Sequence, residues 1–178
     1  MPEFIDDATF GTYFEEFENT AWRLETRRGY ASDRRSPNWA RWEAGDDVSH
    51  GRPTAWGENV QVQTTAGKRF ERVRLVDNPP TAGQRFLLAR APNNLASGED
   101  IRNMWRADAE RLGLPAVDFW LFDHRRALVL HFDDDDEYLG SELVEDPVQI
   151  AEFRQIRAAA WPQAIPHSDF APGVASTV

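Results

Sequence analysis

Three apolar segments near the C-terminal end, VDFWLFD, ALVLHF and EYLGSELV, are separated only by HRR and DDDD. Links that short close antiparallel hairpins, whereas a parallel pair needs a crossover of a dozen residues or more. At least part of the fold must therefore be a sheet of sequence-adjacent strands. An earlier stretch, AWRLETRRGY at 21–30, alternates with the same period of two. Trp22 and Leu24 fall on one side of that strand, and Arg23, Glu25 and Arg27 on the other.

Helix signals are interspersed with the strands. Phe10, Phe14 and Phe17 follow the i, i+4, i+7 spacing of one helical face behind Thr9 as a cap. Ser36-Pro37 starts a short helix that Gly45 ends, and Asp146-Pro147 starts a last one carrying Ile150, Phe153, Ala160 and Trp161. Between them, ENVQVQTT and RFERVRLVD read as a hairpin turned by AGK, with QRFLLAR as its third strand. Ser97 with Asp100 reads as a capping box for a helix over 98–112, striped by Ile101, Met104, Trp105 and Leu112. These elements predict an α+β fold in one domain, residues 1–170. Its sheet is antiparallel or mixed, of about six to seven strands, with helices packed on one face. Residues 171–178, lacking periodicity, are expected to be a flexible tail.

Charge narrows the partners. Thirty acids oppose twenty bases, a net charge of −10, which disfavours direct binding to nucleic acid. The excess is uneven: residues 21–90 hold thirteen bases against eight acids, so an acidic chain carries a basic middle. Nineteen of the twenty bases are Arg, and their scatter fits an Arg-rich composition better than a dedicated clamp. With no Cys there is neither a disulfide framework nor a thiolate site. No apolar run approaches the ~18 residues of a membrane span, and the acidic N-terminus does not resemble a signal peptide, so a cytoplasmic location is expected.

Motifs of known chemistry are missing. His50, His124, His131 and His167 show no metal-ligand spacing, and no metal or other cofactor is expected. Asp133–Asp136 lacks the Gly and the distal Glu of a calcium loop and reads as a solvated turn. No nucleophile elbow, phosphate loop or dinucleotide fingerprint occurs. Asp123 and His124, at a strand end, form a secondary candidate pair in which the carboxylate would orient the ring as a general base. The first candidate is the row Arg23, Glu25 and Arg27 with Tyr30. On a concave face it would hold an anion by bidentate Arg contacts; on a wet face it would pair with the charges of RFERVR, at ~0.2–1 kcal/mol per pair.

Four segments carry a wider likeness: FEEFENTAWRLETRRGYASD, AGKRFERVRLVDNPPTAGQRFLLA, GEDIRNMWRADAERLGLPAVDFWLFD and QIRAAAWPQAIP. Through them the chain resembles an actinobacterial domain-of-unknown-function family, number 6879. The resemblance implies a gene neighbourhood of helix-turn-helix regulators and small partner proteins, and supplies no catalytic residues. The expectation is therefore a regulatory accessory protein that binds such a regulator, a small partner protein or a small anionic ligand, without touching nucleic acid or membrane. Two alternatives are a metal-free enzyme acting on a nucleotide or specialised metabolite, and a toxin-like nuclease.

Overall fold

The computed structural model describes residues 2–170, so the expected tail at 171–178 lies outside the described residues. Its elements run β1 (Phe4–Ile5), α1 (Asp7–Glu16), β2 (Thr20–Glu25), α2 (Ala31–Arg34), α3 (Pro37–Glu43), α4 (Ala55–Thr65), β3 (Arg69–Val76) and α5 (Ala82–Ser97). There follow β4 (Asp100–Trp105), α6 (Arg106–Arg111), β5 (Asp118–Phe122), β6 (Arg126–Phe132), β7 (Tyr138–Val144), α7 (Pro147–Ala160) and β8 (Ile165–Pro166). All strands join one mixed sheet in the order β1-β7-β6-β5-β2-β3-β4-β8. The pairs β2–β3 and β3–β4 are parallel; β2–β5, β5–β6 and β6–β7 are antiparallel, as the short links between the last three strands require.

The α+β class and the mixed sheet are as expected, with two short edge strands added. The helices, however, cover both faces. On one face Trp22, Leu24, Val73, Leu75, Phe119 and Leu121 pack with Ile150 and Ala160 of α7 and Ala109 of α6. On the other, Ala21, Phe70, Trp120, Phe122 and Leu128 pack with Phe14 of α1 and Val60 of α4. Strands covered on both sides are buried on both sides, which is why β3 and β5 carry almost no exposed residue.

Three segments differ from their sequence-based expectations, each for a definable reason. ENVQVQTT belongs to helix α4: Val60 is fully buried while Val62 is 63% exposed, so the two valines do not share a face. Thr54 caps this helix by accepting from the amide of Gly57, and Trp56, Val60 and Gln63 form its inner stripe at the i, i+4, i+7 spacing. QRFLLAR lies inside α5, which starts at a capping box of Thr81 and Gln84. This helix ends at Gly98, whose φ of 113° is costly for any side chain. The expected helix over 98–112 is thus displaced: Asp100–Trp105 becomes β4, which buries Ile101 and Asn103 on one side and Met104 on the other. Ser97 closes a helix rather than opening one, so no helix N-terminus stands there to receive an anion. The parallel β2–β3–β4 core follows from these changes, because α4 and α5 are the crossovers it requires.

Candidate functional site

The alternation of β2 and that of β3 coincide in register. Arg23 stands opposite Arg72 and Glu25 opposite Arg74, and on the other side Trp120 stands opposite Arg23. The side chains between these positions form the apolar face under α7, so the charged ones point toward α1, α4 and α5. They are not a wet sheet face: Glu25, Arg72 and Arg74 are 4%, 6% and 6% exposed. They floor a cavity of about 480 Å³ at the carboxyl end of β2. Its walls come from α2 (Ser32, Asp33), from α5 (Phe86, Leu87, Arg90, Asn94), and from Phe10, Tyr30, Leu130, Phe132 and Tyr138. Crevices at strand carboxyl ends, where connections diverge, commonly serve as ligand sites in sheets with parallel strands.

Glu25 organises the floor. It accepts from Arg72 Nη1 at 2.8 Å and from Arg74 Nε, with Arg23 Nη2 at 3.6 Å. Burial alone would push its carboxyl up, but Arg72, Arg74 and Arg23 outweigh it and hold the group well below the usual carboxylate range. Arg72 is further gripped by Glu99, at 3.1 Å from Nε and 3.0 Å from Nη2. Glu99 is fixed in turn by Trp56 Nε1 at 2.6 Å and Asn94 Nδ2 at 3.0 Å. Asp118 anchors the other end: it accepts from Thr26 N and Oγ1, from Tyr30 Oη at 2.7 Å and from Arg23 Nη2 at 3.3 Å. Burial, then Glu25 and Asp118, raise the Tyr30 phenol well above its ordinary value, so it remains a hydrogen-bond donor.

Not every donor is used internally. Arg74 bonds through Nε and through Nη1 to Leu87 O, and Arg23 through Nη2; Arg74 Nη2 and Arg23 Nη1 have no partner among the described residues. Among the described residues Arg90 donates only from Nη1, to Val48 O at 3.3 Å. Asp33 carries the opposite potential. Its Oδ2 is buried without a hydrogen-bond partner among the described residues. Burial and then Glu25 push its carboxyl up to about 6, with Arg74, Arg23 and Arg90 pulling the other way. The cavity thus presents four guanidinium groups, one firmly ionised carboxylate and one carboxyl that changes charge near pH 6.

Of the sequence-based candidates, Arg23, Glu25 and Tyr30 come together on this cavity. Arg27 does not. It lies beyond the end of β2 and turns to the β6–β7 link, where it bonds Asp136 through Nε and Nη2 at 3.0 and 2.6 Å and covers the ring of Phe132. The acidic run is thereby a braced turn, with Arg34 on Asp136 as well and Asp133 Oδ1 accepting two backbone amides. Asp123 and His124 sit on the β5–β6 turn away from the cavity, both with positive φ. The Asp123 carboxylate accepts the amides of Glu18, Asn19 and Thr20 at 2.7, 2.7 and 2.9 Å, and so fixes the entry to β2 instead of orienting His124. Asp33, Arg72, Arg74, Arg90, Asn94 and Glu99 were not among the candidates. Arg72 and Arg74 carry a signal, since they share strand parity opposite to Val73 and Leu75 and so join the charged face of β2. The helix-borne residues carry none, because their approach depends on how α2 and α5 dock.

A mixed sheet between two helical layers, with a guanidinium-floored cavity at the carboxyl end of parallel strands, describes the architectural class. The chain belongs to the family described as Domain of unknown function (DUF6879), whose model matches residues 8–172. No curated protein matches it in sequence. Among solved structures it is similar to Nuc from Salmonella typhimurium, a phospholipase D family member. The two chains are 11% identical and align over 89% of this one and 88% of the other, with a TM-score of 0.52, a likeness of fold.

Proposed function

We propose that this protein binds a small anionic ligand in the cavity above Glu25 and serves as the ligand-sensing accessory protein of a helix-turn-helix regulator. One observation carries the binding half: Arg23 and Arg74, preset by Glu25, Asp118 and Leu87 O, each keep a terminal nitrogen without a partner among the described residues, and both line the same cavity. Guanidinium N–H donors held in place can meet carboxylate and phosphate oxygens and lose little side-chain entropy on binding. The regulator half rests on the gene neighbourhood that the family resemblance implies, and on an acidic chain suiting a basic partner surface. Titrating sulfate at constant ionic strength into the wild-type chain and into Arg74→Ala tests the binding half. Saturable binding that the substitution weakens at least tenfold is expected; equal, non-saturating responses contradict it. Co-purification with the adjacent regulator at physiological salt tests the other half, and failure to associate contradicts it.

A second reading is phosphoester chemistry, favoured by one observation besides the fold likeness to a phospholipase D family member. Asp33, with a carboxyl near 6, faces the same guanidinium groups that would stabilise a phosphoryl transition state. Hydrolysis of a chromogenic phosphodiester that Asp33→Asn abolishes would select this reading; no turnover by the wild-type chain would remove it.

A further inference from the structure

The cavity has two chemically distinct walls. The β2–β3 floor and α5 supply the guanidinium groups of Arg23, Arg72, Arg74 and Arg90. From Arg23 a row of rings leads outward. The Arg23 guanidinium lies 5.8 Å from the Tyr30 ring, Tyr30 and Phe132 are 5.4 Å apart, Phe132 and Tyr138 5.7 Å, and Tyr138 and Phe10 6.5 Å. Packing does not finish burying the outer part of this row: Phe10 and Phe132 are half-buried, and Tyr138 is 44% exposed. Arg27 covers one face of Phe132, which leaves the rest of that ring with Phe10 and Tyr138 as a platform for a flat ring beside the anion subsite. Size points the same way. About 480 Å³ falls within the ~300–1,000 Å³ of cavities that enclose drug-sized molecules, and an inorganic anion would fill little of it.

Charge fixes the anionic end. Against the carboxyl groups of Glu25, Glu99 and Asp118 the four guanidinium groups are one in excess, and Asp33 is the acid that can cancel that excess. A neutral Asp33 also turns a repelling oxygen into a hydrogen-bond donor, with Arg23, Arg74, Arg90 and Glu25 as its charged neighbours. A phosphate monoester accommodates this well, because its oxygens can accept from the remaining terminal nitrogens of Arg23 and Arg74 and from a proton-bearing Asp33 at once.

Resting on the anion-binding reading above, we propose that the ligand is a mononucleotide-class compound: a phosphate monoester whose flat ring lies along Phe132 and Tyr138, with the phosphate between Arg23, Arg74 and Asp33. The ring row supplies affinity that a bare anion cannot use, and the guanidinium groups supply affinity that a nucleoside cannot use.

Calorimetric titration of the full chain at pH 6 with the four common 5′-mononucleotides, their nucleosides and inorganic phosphate tests this. At least one mononucleotide should bind at least tenfold more tightly than both its nucleoside and phosphate. Tyr138→Ala should lower that preference over phosphate about tenfold, at the lower end of the effect of a base–aromatic stack. Leu139→Ala, an exposed neighbour outside the cavity lining, should leave the preference unchanged. Phosphate binding as tightly as every mononucleotide overturns the ring inference and keeps the anion site. A single-stranded oligonucleotide binding more tightly than any mononucleotide also overturns it, in favour of an open strand site. Absence of binding by phosphate and all mononucleotides overturns the anion site itself.

Discussion

The two faces of β2 come from one six-residue strand and are both buried, yet they do opposite work. Trp22 and Leu24 are 1% and 0% exposed and disappear into contacts with β3, β5 and the α6–α7 layer. Glu25 is buried and Arg23 largely so, in a network of ion pairs that lines a cavity. Apolar burial is satisfied by packing alone, whereas buried charge must be matched by charge, and four cations against few anions leave capacity over. A sheet covered on both sides has no structural need for such a patch. Its place in the covered interior sets it apart from a solvated charge row.

Substitutions can break or sharpen that contrast. The largest effect is expected at Trp22→Ala, which should cost about 3–5 kcal/mol through the cavity it opens, read by chemical denaturation. Glu25→Ala should come close, at about 3–5 kcal/mol, because it strands Arg74 without a carboxylate and leaves Arg72 with Glu99 alone. Were Glu25→Ala neutral, the charged face would not be organised as described. Arg74→Ala is expected to separate stability from function: Arg72 and Arg23 still hold Glu25, so the melting temperature should fall by only several degrees while sulfate affinity falls at least tenfold.

Asp33→Asn probes the titrating group. A carboxyl raised to about 6 is protonated in the fold at pH 5 and largely ionised in the unfolded chain, so the folded state binds the extra proton. The contribution of Asp33 to stability is therefore present below its ordinary value near 4 and is lost as pH rises toward 6 and above. Removing the ionisable group should stabilise the protein at pH 7 by about 1 kcal/mol, discounting for residual solvent, or about 2–4 °C, and have no such effect at pH 4. By the same sign, sulfate should bind more tightly below pH 6 than above it, and Asp33→Asn should flatten that dependence. The smallest effect belongs to Arg27→Ala. Its pair with Asp136 is partly exposed on both sides, worth about 0.2–1 kcal/mol, and anion affinity should not change. A large loss of affinity there would extend the site beyond the cavity.

How much of this was legible in the sequence depended on whether local pattern or tertiary context decided each segment. The β5–β7 meander, α3 and α7 followed from short links and caps at Ser36 and Asp146 that act within a few residues. The segments around α4, α5 and β4 did not. Val60 and Val62 alternate like a strand, and Ile101, Met104 and Trp105 are spaced like a helix, although packing makes the first a helix and the second a strand buried on both faces. That exchange hid the parallel β2–β3 pair and with it the register that sets Arg72 beside Arg23 and Arg74 beside Glu25. Arg23, Glu25 and Tyr30 were legible because an alternating strand with a charged face is unusual. Arg27 shared their parity but lies past the strand end, where period two no longer governs direction. Asp33 and Arg90 are brought in by α2 and α5, and nothing local to either residue marks it.

The central claim is that the buried guanidinium groups of β2 and β3 form an anion site. A tungstate soak of crystals of the full chain, read in an anomalous difference map, tests it most directly. The account predicts a peak in the cavity within hydrogen-bonding distance of Arg23 and Arg74. Tungstate bound elsewhere on the protein, with that cavity unoccupied by anion at saturating concentration, would contradict it.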